Sequence, residues 1–239
     1  MNKYEIANRI ENFAPLVSAE SWDSSGWIVD KSGCDDIYKI MLCLTPTLEI
    51  VQQALTQKCD MIVSHHPMFY VPCKTPLVKD FEPQINMYCA HTNMDKANGG
   101  TTDTIIKVLN LEDKKINIDH EFLRFMEFDN GIDIEEFSKI LSRISPNARL
   151  VNNRHVKKLN RIAFCAGSGA EFIREAKNLG ADCLVTGDLK FHTALDSEIV
   201  VYDIGHFESE ILILPVFENI IGKDVEIVYA KERSPFEMI

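Results

Sequence analysis

Short apolar runs that alternate with helical patterns constrain the fold of this chain most strongly. Six runs, each suited to a buried strand, occupy residues 37–44, 61–63, 86–90, 161–166, 183–186 and 199–204. Amphipathic patterns lie between several of them. Strands that alternate with helices are typical of α/β folds with largely parallel sheets. The sequence therefore predicts α/β architecture with mainly parallel or mixed sheets.

Three local signals predict how individual elements begin, bend or connect. Thr45 is a typical N-cap, and Pro46 then takes the first position of a helix. Pro215 predicts a kink in a mainly helical segment over 208–221. Asp129-Asn130-Gly131 predicts a polar turn.

An internal repeat relates the two halves of the chain. With a shift of 122 residues, positions 37–70 match 159–192 without a gap and seven positions are identical, where about two are expected by chance. The alternative is that any two strand-helix-strand units share this pattern. The preferred interpretation is two similar α/β lobes, 1–118 and 119–239, with a ligand site at their interface. This interpretation allows residues 203–239 to pack on the first lobe.

Composition excludes several classes of protein. Hydrophobic residues make up 46% and charged residues 26% of the 239 residues, which argues against a disordered, collagenous or coiled-coil chain. The net charge of −11 disfavours nucleic acid as a partner. No apolar run reaches the roughly 18 residues of a membrane span. The seven cysteines form no Cys-x-x-Cys pair and predict reduced thiols in the cytoplasm.

Histidines and carboxylates follow the predicted strands, where ligands bind in parallel α/β sheets. Two adjacent histidines on a loop can point to two neighbouring metal ions. A histidine four residues before an acid shares a helix face with it. Imidazole and carboxylate groups are suitable ligands for zinc, manganese or iron. Because no cysteine belongs to this set of candidate ligands, a closed structural zinc site is disfavoured. The candidate metal ligands are His65, His66, Asp95, His206 and Glu210.

Other residues near these strand ends have two interpretations each. His91 and His192 are either hydrogen-bonded structural groups or residues that orient a ligand or substrate. Asp188 is either a catalytic base or a helix cap. The segment from Trp22 to Trp27 is either a substrate wall or buried packing. The Gly167-Ser168-Gly169 turn before a helix is either a phosphate site or a simple turn.

Six separated blocks occur in a fixed order along the chain. They are Glu20-Ser21-Trp22-Asp23, Ser64-His65-His66-Pro67, His91-Thr92-Asn93-Met94-Asp95 with Gly99-Gly100, Gly167-Ser168-Gly169, Thr186-Gly187-Asp188 and Gly205-His206-Phe207-Glu208-Ser209-Glu210. With these blocks the chain resembles the dinuclear-metal family named as GTP cyclohydrolase type 2 homologues, the interacting-factor-three-like proteins. The resemblance extends from about residue 4 to residue 237.

The resemblance implies two divalent metal ions per chain at the lobe interface. It assigns the five candidate ligands as such, with Glu210 as a bridge between the ions. It also implies a toroidal homohexamer whose metal sites face an internal cavity. Proteins of this family look like hydrolases, and GTP ring opening is assigned to some members.

The chain departs from the family pattern at three places. Thr45 stands where relatives commonly carry aspartate. A block with glycine and arginine is eroded to Phe122-Leu123-Arg124-Phe125-Met126. The large middle insertion of some members is missing, so no extra domain is expected over the torus.

The resulting hypothesis is a cytoplasmic metal-dependent hydrolase whose small-molecule substrate is a purine nucleotide. Asp188 and His192 are the candidate catalytic residues, as proton carriers. A first alternative is a non-catalytic protein that binds or delivers metal, or binds partners through the torus. A second is a metal-dependent phosphoesterase.

Overall fold

The computed structural model describes residues 1–68 and 85–237. Phe69 of the repeat and Cys73 lie outside this range. The described residues form two compact units: Thr101–Leu212 is the second, and the residues on either side of it form the first. These boundaries differ from the lobes 1–118 and 119–239, which were drawn from the repeat and stay a prediction.

Strands and helices alternate along much of the described chain. The strands are β1 (Gly26–Val29), β2 (Lys39–Cys43), β3 (Met61–Ser64), β4 (Asn86–Cys89), β5 (Lys115–Ile116), β6 (Arg124–Asp133), β7 (Arg149–Val151), β8 (Lys158–Phe164), β9 (Cys183–Thr186), β10 (Val200–Asp203) and β11 (Glu226–Tyr229). The α-helices are α1 (Lys3–Phe13), α2 (Leu48–Thr56), α3 (Thr92–Lys96), α4 (Thr101–Val108), α5 (Ile134–Leu141), α6 (Ile173–Asn178), α7 (Phe191–Leu195), α8 (His206–Glu210) and α9 (Leu214–Ile221).

Each unit contains a mixed sheet. The first has the strand order β1-β4-β3-β2-β11, in which only the β1–β4 pair is antiparallel. The second has the order β5-β6-β8-β9-β10-β7, with β8, β9 and β10 parallel. The predicted α/β class with mainly parallel and mixed sheets is confirmed.

Equivalent strands of the two units pair in the same register. Ile40 of β2 lies opposite Met61 of β3, and Ile162 of β8 lies opposite Cys183 of β9. Both partners in the second pair are 122 residues further along the chain, which is the offset of the sequence repeat.

An aspartate binds the backbone of the equivalent strand in each unit. Asp60 accepts hydrogen bonds from the backbone N–H groups of Tyr38 and Lys39, at 2.8 and 2.9 Å. Asp182 accepts from those of Asn160 and Arg161, at 2.9 and 3.3 Å. In each unit the carboxylate therefore holds one strand beside the entry to the next.

The sheet of the second unit is buried on both faces, so successive side chains enter two different cores. One core packs against α4 and α5, and the other against α6 and α7. The first receives Ile162, Phe164, Cys183, Val185, Val200 and Tyr202. The second receives Ala163, Leu184 and Val201.

Three local predictions need correction: those at Thr45, at Asp129-Asn130-Gly131 and at Pro215. Thr47, rather than Thr45, caps α2, so Pro46 precedes the helix and does not take its first position. The Thr45 hydroxyl is instead hydrogen-bonded to the His66 ring at 2.7 Å. The predicted turn at Asp129-Asn130-Gly131 is wrong, since these residues lie within β6. Its pairing with β8 shifts register there, and Gly131 has φ of 67°. The polar triplet therefore belongs to a β-bulge.

Pro215 lies at the start of a helix rather than at a kink within one. Residues Ile211–Ile213 form a 3-10 turn after α8, and α9 then begins with Pro215 in its first turn. Proline is tolerated there because the first N–H groups of a helix have no intrahelical partner. Within the described residues, no helix is both long and apolar enough to cross a membrane.

We predict that Asp60→Ala and Asp182→Ala each lower the free energy of unfolding by about 1–3 kcal/mol, since each removes a charged acceptor from two backbone donors. Urea unfolding followed by circular dichroism measures the change. Asp129→Ala, at an exposed position of β6, is the control and is expected to change stability by less than about 0.5 kcal/mol. Equal stability of all three variants and the parent protein would contradict this role.

Candidate metal centre

Three imidazole rings lie together at the carboxyl ends of two neighbouring strands of the first unit. His65 and His66 follow β3 directly, and His91 follows β4 after Ala90. Their ring centroids are 5.0, 5.3 and 5.5 Å apart. One ring nitrogen of each lies within 4.8 Å of the others, so the three rings converge on one position.

An oxygen atom holds the Nδ1 atom of each ring. His65 Nδ1 donates to the carbonyl of Ala90 at 2.9 Å, and His91 Nδ1 donates to Asp23 at 2.8 Å. His66 Nδ1 is 2.7 Å from the Thr45 hydroxyl. Because a carbonyl and a carboxylate only accept, His65 and His91 carry the lone pair on Nε2. Metal-binding histidines are oriented in this way in proteins.

Asp23 is the buried acid that orients His91. Its side chain is 1% exposed and also accepts hydrogen bonds from the Thr92 backbone and hydroxyl and from the Ser25 hydroxyl, at 3.0, 2.6 and 2.7 Å. Burial alone would raise its pKa, but the hydrogen bonds from His91, Thr92 and Ser25 hold the pKa of this carboxyl well below its usual range. Asp23 therefore stays ionised in the protein interior.

Asp95 brings a carboxylate to the same cluster. It lies on α3, and its Oδ1 atom is 3.5 Å from Nε2 of His65. His65 is fully buried, whereas the side chain of Asp95 is 17% exposed. The cluster thus extends from the interior of the first unit to its surface.

A second group of polar side chains lies in the second unit. His206 and Glu210 share one face of α8, with 2.8 Å between His206 Nε2 and a Glu210 carboxylate oxygen. Asp188 approaches the other ring nitrogen at 2.7 Å. Burial lowers the pKa of His206, but hydrogen bonds and charge interactions with Glu210 and Asp188 outweigh it and raise the pKa to about 9. The two carboxylates therefore stabilise positive charge at this position, as a metal site requires.

Glycine gives these side chains the space that they occupy. A Cβ atom on Gly167 would lie 2.1 Å from a Glu210 carboxylate oxygen, and one on Gly187 would lie 2.8 Å from the backbone nitrogen of His206. The Gly167 N–H donates to the Ser209 hydroxyl at 2.9 Å. The Gly167-Ser168-Gly169 turn thus makes a close backbone approach to α8.

Asp188 has a strained backbone. Its φ of 55° is in the left-handed region that non-glycine residues rarely adopt. Strain of this kind is concentrated at functional sites, where the surrounding structure holds it. A cavity of about 730 Å³ in the second unit includes Asp188, Ser168, Arg174 and Lys190 in its lining. It is large enough for a small-molecule substrate.

The predicted site residues lie in three different places in the structure. His65, His66 and Asp95 lie together in the first unit, and His206, Glu210 and Asp188 lie together in the second. His192 lies on an exposed part of α7, with its ring 5.4 Å from that of Phe191.

The sequence patterns did not predict that His91 and Asp23 belong to this cluster. The pairing of Gly26 with Cys89 brings the chain before β1 beside the chain after β4. That pairing depends on a four-residue strand with no strong sequence signal. The four-residue spacing of His91 and Asp95 was the available signal for His91.

We predict that Asp23→Asn weakens Zn²⁺ binding by about 10- to 100-fold, because an amide cannot accept from all of the donors that meet the carboxylate. Competition with a chromophoric chelator measures the affinity. Asp129→Asn is the control and should bind Zn²⁺ as the parent protein does. An unchanged affinity for Asp23→Asn, with a native circular dichroism spectrum, would show that this acid does not support the cluster.

The chain is similar to known proteins in sequence and in fold. A family model described as Duf34/NIF3 (NGG1p interacting factor 3) matches residues 1–235. A Clostridium perfringens protein named GTP cyclohydrolase 1 type 2 homolog is 30% identical over 266 aligned positions, which cover 100% of both chains.

Two solved structures are similar over almost the whole chain. Reduced HcgD from Methanocaldococcus jannaschii has a TM-score of 0.83 and 27% identity, covering 97% of this chain and 98% of its own. A Bacillus cereus protein related to NIF3 has a TM-score of 0.86 at 17% identity, covering 100% and 99%, and shows the shared fold alone. From the family match and the full-length relative, the chain belongs to the Duf34/NIF3 family.

Proposed function

We propose that this protein binds two divalent metal ions and is a metal-dependent hydrolase of a purine nucleotide. The observation that carries the proposal is the convergence of His65, His66 and His91, with an oxygen atom at the Nδ1 of each ring. Neutral imidazoles oriented in this way are ligands for zinc, manganese or iron. The name of the Clostridium perfringens relative supports a guanine nucleotide as substrate.

The ligand set that we propose draws on both units. His65, His66 and Asp95 would supply nitrogen and oxygen donors from the first, and His206 and Glu210 would supply them from the second, with Glu210 in the role that the family resemblance implies for it. The proposal requires these five residues to act together, with His91 as the adjoining imidazole that orients a ligand or the substrate. Bound divalent ions supply Lewis acidity, which lowers the pKa of water and polarises the bond under attack.

The protein's own residues have separate tasks in this proposal. Asp23 and the Ala90 carbonyl keep the His91 and His65 rings in place. Asp188 is better placed than His192 to hold or move a proton, because its carboxylate is 2.7 Å from His206 Nδ1, whereas His192 is exposed on α7.

We also propose that the protein is a cytoplasmic homohexamer, as the family resemblance implies. Buried thiols at Cys43, Cys59, Cys89 and Cys183 agree with a reducing compartment. Light scattering after gel filtration tests the assembly, and a mass about six times 27.2 kDa is expected. A monomeric mass would contradict the hexamer without affecting the metal ligands.

We predict about two transition-metal ions per chain in protein purified without a metal-affinity tag, measured by elemental mass spectrometry. His65→Ala and Glu210→Ala should each lower that occupancy, because each removes a direct ligand. His155→Asn is the matched control. His155 is exposed with φ of 54°, which asparagine tolerates, so the occupancy should not change. Unchanged occupancy in both ligand variants, with native circular dichroism, would contradict the proposed ligands.

Product analysis then tests the reaction. Metal-loaded protein incubated with GTP should release formate if it opens the imidazole ring, and both ligand variants should lose this activity. Release of phosphate without formate would indicate a phosphoesterase. Stable metal binding with neither product would reject the hydrolase and favour a binding or delivery role.

A further inference from the structure

The two tryptophans of the chain have different surroundings. The Trp27 ring packs against the rings of Tyr4 and Tyr88, with centroids 5.6 and 5.2 Å away. Trp22 is 57% exposed and lies beside the imidazole cluster, with its ring 6.4 Å from that of His91 and nearly perpendicular to it. Trp27 thus belongs to the packing of the first unit, whereas Trp22 presents an indole surface next to the candidate metal ligands.

The turn that carries Trp22 is fixed on both sides. The Asp23 N–H donates to the Glu20 carbonyl at 2.9 Å, which closes the turn. On one side, the Glu20 N–H donates to the Thr92 hydroxyl at 2.9 Å and the Glu20 carboxylate pairs with Lys96 at 2.8 Å. On the other side is the buried carboxylate of Asp23, which contacts His91 and Thr92.

These contacts attach the turn to the segment that supplies His91 and Asp95. The backbone around the indole is therefore held in a set position relative to the imidazole cluster, even though the ring itself is exposed. A rigid aromatic group loses little conformational entropy when a ligand binds to it. A planar ring that stacks on such a surface is bound by dispersion and by exclusion of water, whichever polar groups it carries.

We propose that Trp22 is the stacking surface for the planar heteroaromatic ring of the substrate, and that this ring is a purine base. The inference rests on the proposed function for the reaction at the neighbouring metals. The inference adds to that function the residue that recognises the base. Binding of the base to Trp22 can be measured even if the protein does not turn the nucleotide over. When an aromatic side chain that stacks on a base is replaced by alanine, the affinity falls by about 5- to 140-fold.

Fluorescence of the metal-loaded protein tests the contact directly. In the Trp27→Phe variant Trp22 is the one tryptophan, and Zn²⁺ serves as the metal because it has no redox chemistry. Trp22 fluorescence, excited at a wavelength selective for indole, should show saturable quenching by guanosine, GMP and GTP. The same titrations of free N-acetyltryptophanamide correct the signal for light that the nucleotides absorb. Tripolyphosphate and ribose 5-phosphate, which have no aromatic ring, should leave the signal unchanged. Absence of saturable quenching by all three guanine compounds would overturn the proposal.

Substitutions separate stacking from a structural role. Trp22→Leu should weaken nucleotide binding by about 5- to 140-fold, while Trp22→Phe, which keeps an aromatic face, should restore most of the affinity. Tyr38→Ala is the control, because Tyr38 is a 72% exposed aromatic residue at the opposite ends of the strands, just before β2. Equal affinity in the leucine and phenylalanine variants would overturn the proposal.

The outcomes distinguish this inference from the hydrolase proposal. Saturable quenching without formate or phosphate release would support stacking on Trp22 and reject the hydrolase. Turnover of GTP with an unchanged KM in Trp22→Leu would support the hydrolase and reject the stacking role. A Trp22 emission spectrum that depends on protein concentration, and no response to nucleotides, would assign the indole to an interface between copies of the chain and reject the stacking role.

Discussion

The candidate metal centre depends on one buried carboxylate, that of Asp23. A carboxylate in the interior is costly unless charged or polar donors surround it, and here His91, Thr92 and Ser25 supply them. The same hydrogen bonds fix the orientation of His91 and attach the turn before β1 to the chain after β4. One ionised group thus links the N-terminal segment, the imidazole cluster and the exposed indole of Trp22.

The parallel sheet accounts for most of what the sequence could predict. Parallel strands end at one edge, so polar residues that directly follow apolar runs meet there. This rule predicted His65, His66 and Asp95 at one edge of the sheet from the pattern of strands alone. It also predicted His206 and Glu210 on one face of a short helix, because their spacing is one helical turn.

The parts that sequence patterns could not predict depend on pairings between distant segments. The contact of Asp23 with His91 follows from the antiparallel edge pair of β1 and β4, and β1 is only four residues long. Thr45 is a good cap by type, yet the approach of His66 diverts its hydroxyl. The polar triplet 129–131 resembles a turn, and only its pairing with β8 shows that it is a bulge.

The two units use the same strand register for different chemistry. At the repeat offset, His65 and His66 correspond to Gly187 and Asp188, so one unit places imidazoles after β3 and the other places a glycine and an acid after β9. The glycine is required because a side chain there would collide with the backbone of His206. Neutral imidazoles orient an ion but do not balance the charge of a divalent cation, whereas carboxylates such as Glu210 do. Each unit also contains the other donor type, because Asp95 lies beside His65 in the first and His206 lies beside Glu210 in the second, so each carries nitrogen donors together with a charge-balancing carboxylate.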